Sequence, residues 1–283
     1  MNLDLDALRS AFGLGVAGNF AGHLEQAGEA GDFASVDAPA AAPKGIFPWY
    51  APRSTTFLSQ FPLSSDRTVL PPSDTPLHLQ IEPEVAVLFQ ASYDADGAVG
   101  GLTATGVAAF NDCSIRRPGA AKISHKKNWG PASKGLARTG FAVTEIEPDG
   151  ATADLRLACF LRRGERVDAY GVDSPVPGYT YYGSRLVDWL VDRLRRQHGA
   201  PDTPLEDVGA LLRENGCPPL LVVGIGATRY TTLGESTFLE AGDASVVIVY
   251  DASCTTPEGV ARAVERHEED ALPRASVLRQ TVS

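Results

Sequence analysis

Apolar residues along this chain fall more often into short dense runs or alternation than into helical spacing. The stretch "HLQIEPEVAVLFQASY" (78–93) is rich in β-branched and apolar side chains and predicts a strand. "DADG" (94–97) predicts a turn, and "GLTATGVAAFND" (101–112) a second extended run. "ATADLRLACFLRRGERVDAYG" (151–171) reads as a hairpin turning at "RRGE", while "LLVVGIGA" (220–227) and "ASVVIVYD" (244–251) read as buried strands. Helical spacing is clearest in "YYGSRLVDWLVDRLRRQHG" (181–199), where Leu186, Leu190 and Leu194 recur at i+4 and Gly199 supplies a stop. Arg193, Arg195 and Arg196 fall in its last turns, where the helix dipole favours cations. A shorter helix is expected in "LEDVGALLRENG" (205–216) and an exposed one in "PEGVARAVERHEEDAL" (257–272). Residues 1–75, with Pro- and Ala-rich text at 32–54 and 70–76, read as a lid and cover of loops and short strands, and 76–283 as a β-rich body. Without regular βαβ alternation, a mixed α+β fold is expected rather than a doubly wound sheet.

Composition narrows the partners. The chain has 283 residues, 43% hydrophobic and 21% charged, as an ordinary globular protein does. A formal charge of -10 repels polyphosphate, so nucleic acid and anionic membrane surfaces are not expected partners. Cys113, Cys159, Cys217 and Cys254 are scattered, which suggests neither a zinc site nor a disulfide framework and fits a reducing cytoplasm. "MNLDLDALRS" is acidic, and no run approaches the ~20 apolar residues that span a bilayer.

Three local patterns carry candidate chemistry. Gly13-Leu-Gly-Val-Ala-Gly18 matches the dinucleotide fingerprint G-x-G-x-x-G, but "LDLDALRSAF" before it is more helical than strand-like. Asp37, near the distance of the usual ribose-binding acid, does not close a hydrophobic run, so nucleotide binding is disfavoured. Glu82 and Glu84 in "IEPEVAVLF" lie two apart at a strand start, so both side chains project from one face. The structural alternative is an exposed strand edge, which Pro83 would suit. Asp112 ends the following apolar run, and three oxygen ligands of this kind suit Mg²⁺ or Mn²⁺. Only 5 of the 25 basic residues are lysines, yet Lys122, Lys126, Lys127 and Lys134 fall within "KISHKKNWGPASK". That cluster reads as an anion receiver or, alternatively, as a solvated loop.

The order of these motifs resembles the fumarylacetoacetate hydrolase superfamily. "GVAGNFAGH" gives Gly18, Asn19, Phe20 and His23, "EPE" gives Glu82 and Glu84, and "NDCSIR" gives Asn111, Asp112, Ser114 and Arg116. "KISHKKNWGP" then gives Lys122 or Lys126 and the pair Gly130-Pro131, and "FLEAGDASVVIVYD" looks like the superfamily's late strand. The chain looks closest to a little-studied bacterial branch. The resemblance implies a mostly β, mixed-sheet roll with a few flanking helices, with residues 76–283 as the metal-binding catalytic domain. It implies Glu82, Glu84 and Asp112 as ligands of Mg²⁺ or Mn²⁺, and His23 as general base. Lys122 or Lys126 would act at the substrate's carboxylate, with Asn19, Phe20, Arg116 and Lys127 as further substrate contacts. Relatives commonly pair the lid histidine with a Glu three residues on; here Gln26 stands there, with Glu25 and Glu29 as possible substitutes. A homodimer is also implied.

The expected activity is hydrolytic C–C cleavage of a small anionic oxo-acid or 1,3-dicarbonyl. Decarboxylation, hydration or tautomerisation on the same fold, and a non-catalytic small-molecule-binding protein, are the alternatives.

Overall fold

A computed structural model of the chain describes residues 1–283 apart from 34–35, 37, 40–41, 73–76, 118–119 and 201–202. Asp37 and the expected boundary at residues 75 and 76 therefore lie outside the described residues. The strands are β1 (Phe12–Ala17), β2 (Gly45–Tyr50), β3 (Leu63–Ser64), β4 (Arg67–Thr68), β5 (Leu79–Gln80), β6 (Pro83–Tyr93), β7 (Val99–Asn111), β8 (Ser114–Ile115), β9 (Lys134–Leu136), β10 (Phe141–Ala142), β11 (Leu155–Arg163), β12 (Arg166–Pro175), β13 (Leu220–Gly224), β14 (Ala244–Asp251) and β15 (Ala275–Val282). The helices are α1 (His23–Gln26), α2 (Gly183–Arg196), α3 (Val208–Glu214), α4 (Thr232–Ser236) and α5 (Pro257–Glu265).

Two sheets carry the fold. An eight-stranded mixed sheet runs β2-β1-β13-β6-β7-β9-β3, with β10 also paired to β7, and a five-stranded sheet runs β12-β11-β14-β15-β4. Most neighbours are antiparallel; β1 on β13, β3 on β9 and β15 on β4 are parallel. The β6–β7 hairpin closes at the expected "DADG" turn, where Asp94 N donates to Ala98 O at 2.8 Å. Strand periodicity sorts the side chains of β6. Val85, Val87 and Phe89 face an inter-sheet core with Leu157, Cys159, Val247 and Leu278, whereas Ala86 and Leu88 join Phe47, Trp49 and Phe110 on the opposite face. Glu82 and Glu84 share the parity of Ala86 and Leu88, so the carboxylates point to that second face. Leu8, Leu24, Phe33 and Ile123 close over it.

Several elements differ from the sequence expectation. Residues 1–75 do more than cover, because β1 sits between β2 and β13 inside the larger sheet. "LDLDALRSAF" contributes only a 3₁₀ turn at Ala7–Ser10. Gly13 and Gly15 lie within β1, where a Cβ would stand 2.3 Å from the Trp49 ring and 2.2 Å from the Phe47 ring. Close approach of two aromatic rings accounts for this G-x-G pair without a phosphate. β6 is flanked by β13 and β7, so Pro83 marks the first residue of a strand and not a sheet edge. α5 stops at Glu265, with a separate 3₁₀ turn at Glu269–Ala271. β15 is absent from the sequence-derived elements, although its burial alternates along "ASVLRQTV" as an amphipathic strand should.

Candidate metal centre

Glu82, Glu84 and Asp112 converge because β6 and β7 are paired in a fixed register. Glu84 lies opposite Phe110, and Asp112 N donates to Glu82 O at 3.0 Å, which brings the two strand ends together. One ligand atom from each carboxylate lies within 4.8 Å of the others, and all three residues are buried. Gly224 on β13 makes the space: a Cβ there would stand 2.4 Å from Glu84 Oε2. Glu84 Oε2 accepts from Gly226 N at 3.1 Å, and Asn111 Oδ1 accepts from Glu82 N at 3.1 Å.

The surrounding cations are unequally shared. Lys127 Nζ donates to Glu82 Oε2 and Asp112 Oδ2, each at 2.6 Å, and lies 5.1 Å from the Phe47 ring centroid. Arg116 Nη2 is 2.7 Å from Glu82 Oε1, and Lys134 Nζ is 3.4 Å from Asp112 Oδ1. Neither Glu82 Oε1 nor Asp112 Oδ1 receives a hydrogen bond of acceptable geometry, although both atoms are buried. Burial raises the pKa of Glu82, but Lys127 and Arg116 outweigh it and hold the group below the usual carboxylate range. Glu84 lacks such a partner, and burial, then the charges of Asp112 and Glu82, push it well above that range. Burial likewise raises Asp112, against Lys127 and Lys134. The chemistry therefore fits a divalent cation: three hard oxygen donors, two of them buried without a well-aligned hydrogen bond, and a carboxyl that gains from added positive charge.

His23 opens α1 and faces this centre from the lid. Its Nδ1 lies 2.9 Å from Thr228 O. A carbonyl only accepts, so Nδ1 carries the proton and Nε2 keeps a free lone pair in the neutral ring. Burial lowers the His23 pKa to about 4, so the ring is neutral at physiological pH. His23 lines a cavity with Glu82, Glu84, Glu29 and Lys127, walled on its apolar side by Leu24, Phe33, Phe47 and Ile123. Water centres have ≈ 20 Å³ within it, room for one water or ion.

The other sequence-derived candidates divide. Gln26 Oε1 accepts from Tyr230 N at 2.9 Å and Gln26 Nε2 donates to Tyr230 O at 3.2 Å, so an amide is required where a carboxylate has no N–H to offer. Glu25 is exposed, and Glu29 pairs with Arg116 and Lys126, while the His23 ring turns its Nδ1 to Thr228 O and to neither glutamate. Asn19 is a backbone clamp in this structure, donating to Tyr181 O and Ile225 O and accepting from Tyr181 N. Phe20 stacks edge-on against Tyr179, 5.4 Å between centroids. Lys122 departs most from expectation: its Nζ donates to the carbonyls of Ala200, Thr203 and Leu205 at 2.6–2.8 Å, which fixes a loop outside the triad. Lys127 and Lys134 are the lysines that reach the triad, whereas Lys126 pairs beside it with Glu29 and Asp32. Thr228, Tyr230 and Gly224 also belong to the site, and no sequence pattern marks them, since their contributions are backbone groups, a hydroxyl and an absent Cβ.

Residues 29–282 match the model of a family described as "Family of unknown function (DUF5718)". The chain belongs to that family. No curated protein matches the sequence. Among solved structures, the inhibitor-bound Cg1458 protein aligns with a TM-score of 0.54 at 12% identity, covering 96% of this chain and 76% of its own. A protein assigned to the fumarylacetoacetate hydrolase family, from Yersinia pestis CO92, aligns with a TM-score of 0.51 at 13% identity, over 96% of this chain and 93% of that one. A 2-keto-3-deoxy-D-arabinonate dehydratase complexed with magnesium and 2,5-dioxopentanoate aligns at 0.50 and 15% identity, over 100% and 82%. The DUF5718 chain thus has the mostly β, mixed-sheet fold of the fumarylacetoacetate hydrolase superfamily. Among its described residues no helix is long and apolar enough to cross a membrane.

Proposed function

We propose that this DUF5718 protein is a divalent-metal-dependent enzyme that cleaves a C–C bond of a small oxo-acid or 1,3-dicarbonyl by hydrolysis. The observation that carries the reading is the convergence of Glu82, Glu84 and Asp112, with two buried oxygens that have no well-aligned hydrogen bond, opposite Nε2 of a neutral histidine. Glu82, Glu84 and Asp112 would hold Mg²⁺ or Mn²⁺, and the ion would supply Lewis acidity toward a substrate carbonyl. His23 Nε2 removes a proton from water, and Thr228 O steadies the ring through Nδ1–H. Lys127, positive between Glu82 and Asp112, offers an N–H to a substrate oxygen. Leu24 and Phe33 exclude bulk water above the centre. Four unpaired cysteines accord with a cytoplasmic setting, and a homodimer belongs to the same reading.

One observation favours a second reading. His23 leans on a carbonyl and not on a carboxylate, which suits a single proton shuttle, as in tautomerisation, hydration or decarboxylation. Calorimetric titration with Mn²⁺ and Mg²⁺, with Glu82→Ala as control, tests the metal centre. Binding by the parent and loss in the variant are expected; no binding by the parent removes the enzyme reading and leaves a binding protein. Acylpyruvates and oxaloacetate in isotopically labelled water then separate the reactions, because only hydrolysis puts solvent oxygen into the acid product.

A further inference from the structure

Glu29 stands as a partition. It lines the closed cavity beside Glu82 and Glu84, and also an outer pocket of ≈ 170 Å³ whose other polar walls are Asp32, Arg116, Arg117 and Lys126. A single oxygen, Glu29 Oε1, accepts from Arg116 Nη1 at 2.7 Å and from Lys126 Nζ at 2.8 Å. Lys126, 2% exposed, also donates to Asp32 Oδ2 at 2.7 Å. Both anions come from the lid, on or beside the 3₁₀ turn Ala30–Phe33, and both cations from the body.

Arg116 is held independently of the lid carboxylates, whereas Lys126 Nζ has both of its carboxylate partners on the lid. Arg116 Nε donates to Gln80 Oε1 at 2.6 Å and Nη2 to Tyr230 OH at 2.8 Å, and Lys126 ends the turn Ile123–Lys126. If the lid segment moves, Arg116 keeps Glu82 at 2.7 Å, but the Lys126 ammonium loses both of its carboxylates beside the metal cavity, and a buried charge of this kind demands a replacement anion. The geometry that receives Glu29, two converging N–H donors of different side chains, receives any carboxylate equally well.

We propose that Arg116 and Lys126 form an anion subsite that the lid itself fills, with Glu29 as a displaceable plug, and that the displacing group is the terminal carboxylate of a dianionic oxo-acid. This rests on the metal-centre reading above. The ligand's oxo-acid head lies at Glu82, Glu84 and Asp112, and its far end replaces Glu29. The lid's carboxylate therefore competes with the ligand's own, and selects for ligands that carry two anionic ends.

The test uses the full chain with Mn²⁺ and three probes: oxalate, 2-oxoglutarate, and 2-oxopentanoate, which has the same five-carbon length as 2-oxoglutarate without its terminal carboxylate. In the parent, 2-oxoglutarate should bind about tenfold tighter than 2-oxopentanoate. Glu29→Gln should widen that ratio by about tenfold further, Asp32→Asn by less, and Lys126→Met should erase it. Thermal melts of each variant establish that it is folded, and Asp32→Asn, at a partly exposed side chain, serves if Glu29→Gln does not fold. The ratio is the readout because a general change of charge moves both oxo-acids together. Equal binding of the two oxo-acids by the parent, or an unchanged ratio in Glu29→Gln, overturns the subsite. If oxalate also fails to bind, the metal-centre reading falls and takes the subsite with it.

Discussion

Each of the two sheets carries a buried cluster of charges, and the clusters are built on opposite rules. On the five-stranded sheet, Glu269 is fully buried and both its oxygens are taken: Arg162 Nη1 and Nη2 donate at 2.9 and 2.6 Å, and Arg279 Nη1 at 2.7 Å. Burial would raise the Glu269 pKa, but the two guanidiniums hold it below the usual range. On the eight-stranded sheet, Glu82 Oε1 and Asp112 Oδ1 have cations at 2.7 and 3.4 Å but no well-aligned hydrogen bond, and Glu84 is pushed up. A saturated carboxylate has its ligands already; an unsaturated set of three is arranged to receive a cation. The difference separates a structural ion cluster from a candidate functional one.

Two substitutions set the clusters against each other. Glu269→Ala leaves Arg162 buried and uncompensated and should cost about 3–5 kcal/mol of stability in denaturant melts, while any metal affinity per folded molecule is unchanged. Glu84→Gln should act in reverse. It replaces a carboxyl whose pKa burial raises by a neutral group of the same shape, so the melt should move by about 1 kcal/mol or less, whereas Mn²⁺ binding should weaken by about 100-fold or more. A large loss of stability in Glu84→Gln with metal binding intact would reverse the comparison.

The clusters should also respond to pH with opposite signs. Glu84 has a folded pKa raised above 4.5, so the folded chain keeps a proton that the unfolded chain loses, and its contribution falls as pH rises from about 4.5 toward the folded value. Glu269 has a folded pKa below 4.5, so its contribution is present above that value and is lost as pH falls through the folded pKa. Stability curves of Glu84→Gln and Glu269→Gln, each subtracted from the parent, should therefore slope oppositely, the Glu84 difference falling with pH above about 4.5 and the Glu269 difference rising with pH below it. Parallel slopes would mean that the two sites share one electrostatic design.

A third substitution probes the wall that carries the centre. Gly15→Ala places a Cβ against the Phe47 ring, whose face also lies under Lys127, and should cost about 1–3 kcal/mol through overpacking. Under a nucleotide-binding reading the same change would instead abolish NAD binding with little effect on stability.

What the sequence makes legible follows from the range of the interactions. Alternation in "IEPEVAVLF" places Glu82 and Glu84 on one face, and the run ending at Asn111-Asp112 brings the third carboxylate alongside, since one hairpin joins them. Local periodicity also marks α2 and the β11–β12 hairpin. Sequence cannot rank Lys122, Lys126 and Lys127, because a 3₁₀ turn sends three lysines of one cluster to three different partners. The place of β1 in the main sheet rests on parallel pairing with β13, some 200 residues on, and no local pattern encodes that partner.

Gln26 gives the smallest and most specific test. Its amide offers one donor and one acceptor to the carbonyl and N–H of Tyr230, a reciprocal pair that ties α1 to the segment carrying Thr228. Gln26→Glu keeps the acceptor, removes the donor, and sets a carboxylate against Tyr230 O. The expected cost is about 1–2 kcal/mol, felt at the lid and not across the molecule, because α1 packs on the sheet through few residues. Hydrogen exchange should therefore quicken in residues 18–33 while β6 and β7 stay protected. Restoring the glutamate common in the superfamily would thus loosen this lid. An unchanged or slower exchange would show that the carboxylate finds His23 instead, and that the histidine's reliance on Thr228 O is a default and not a requirement.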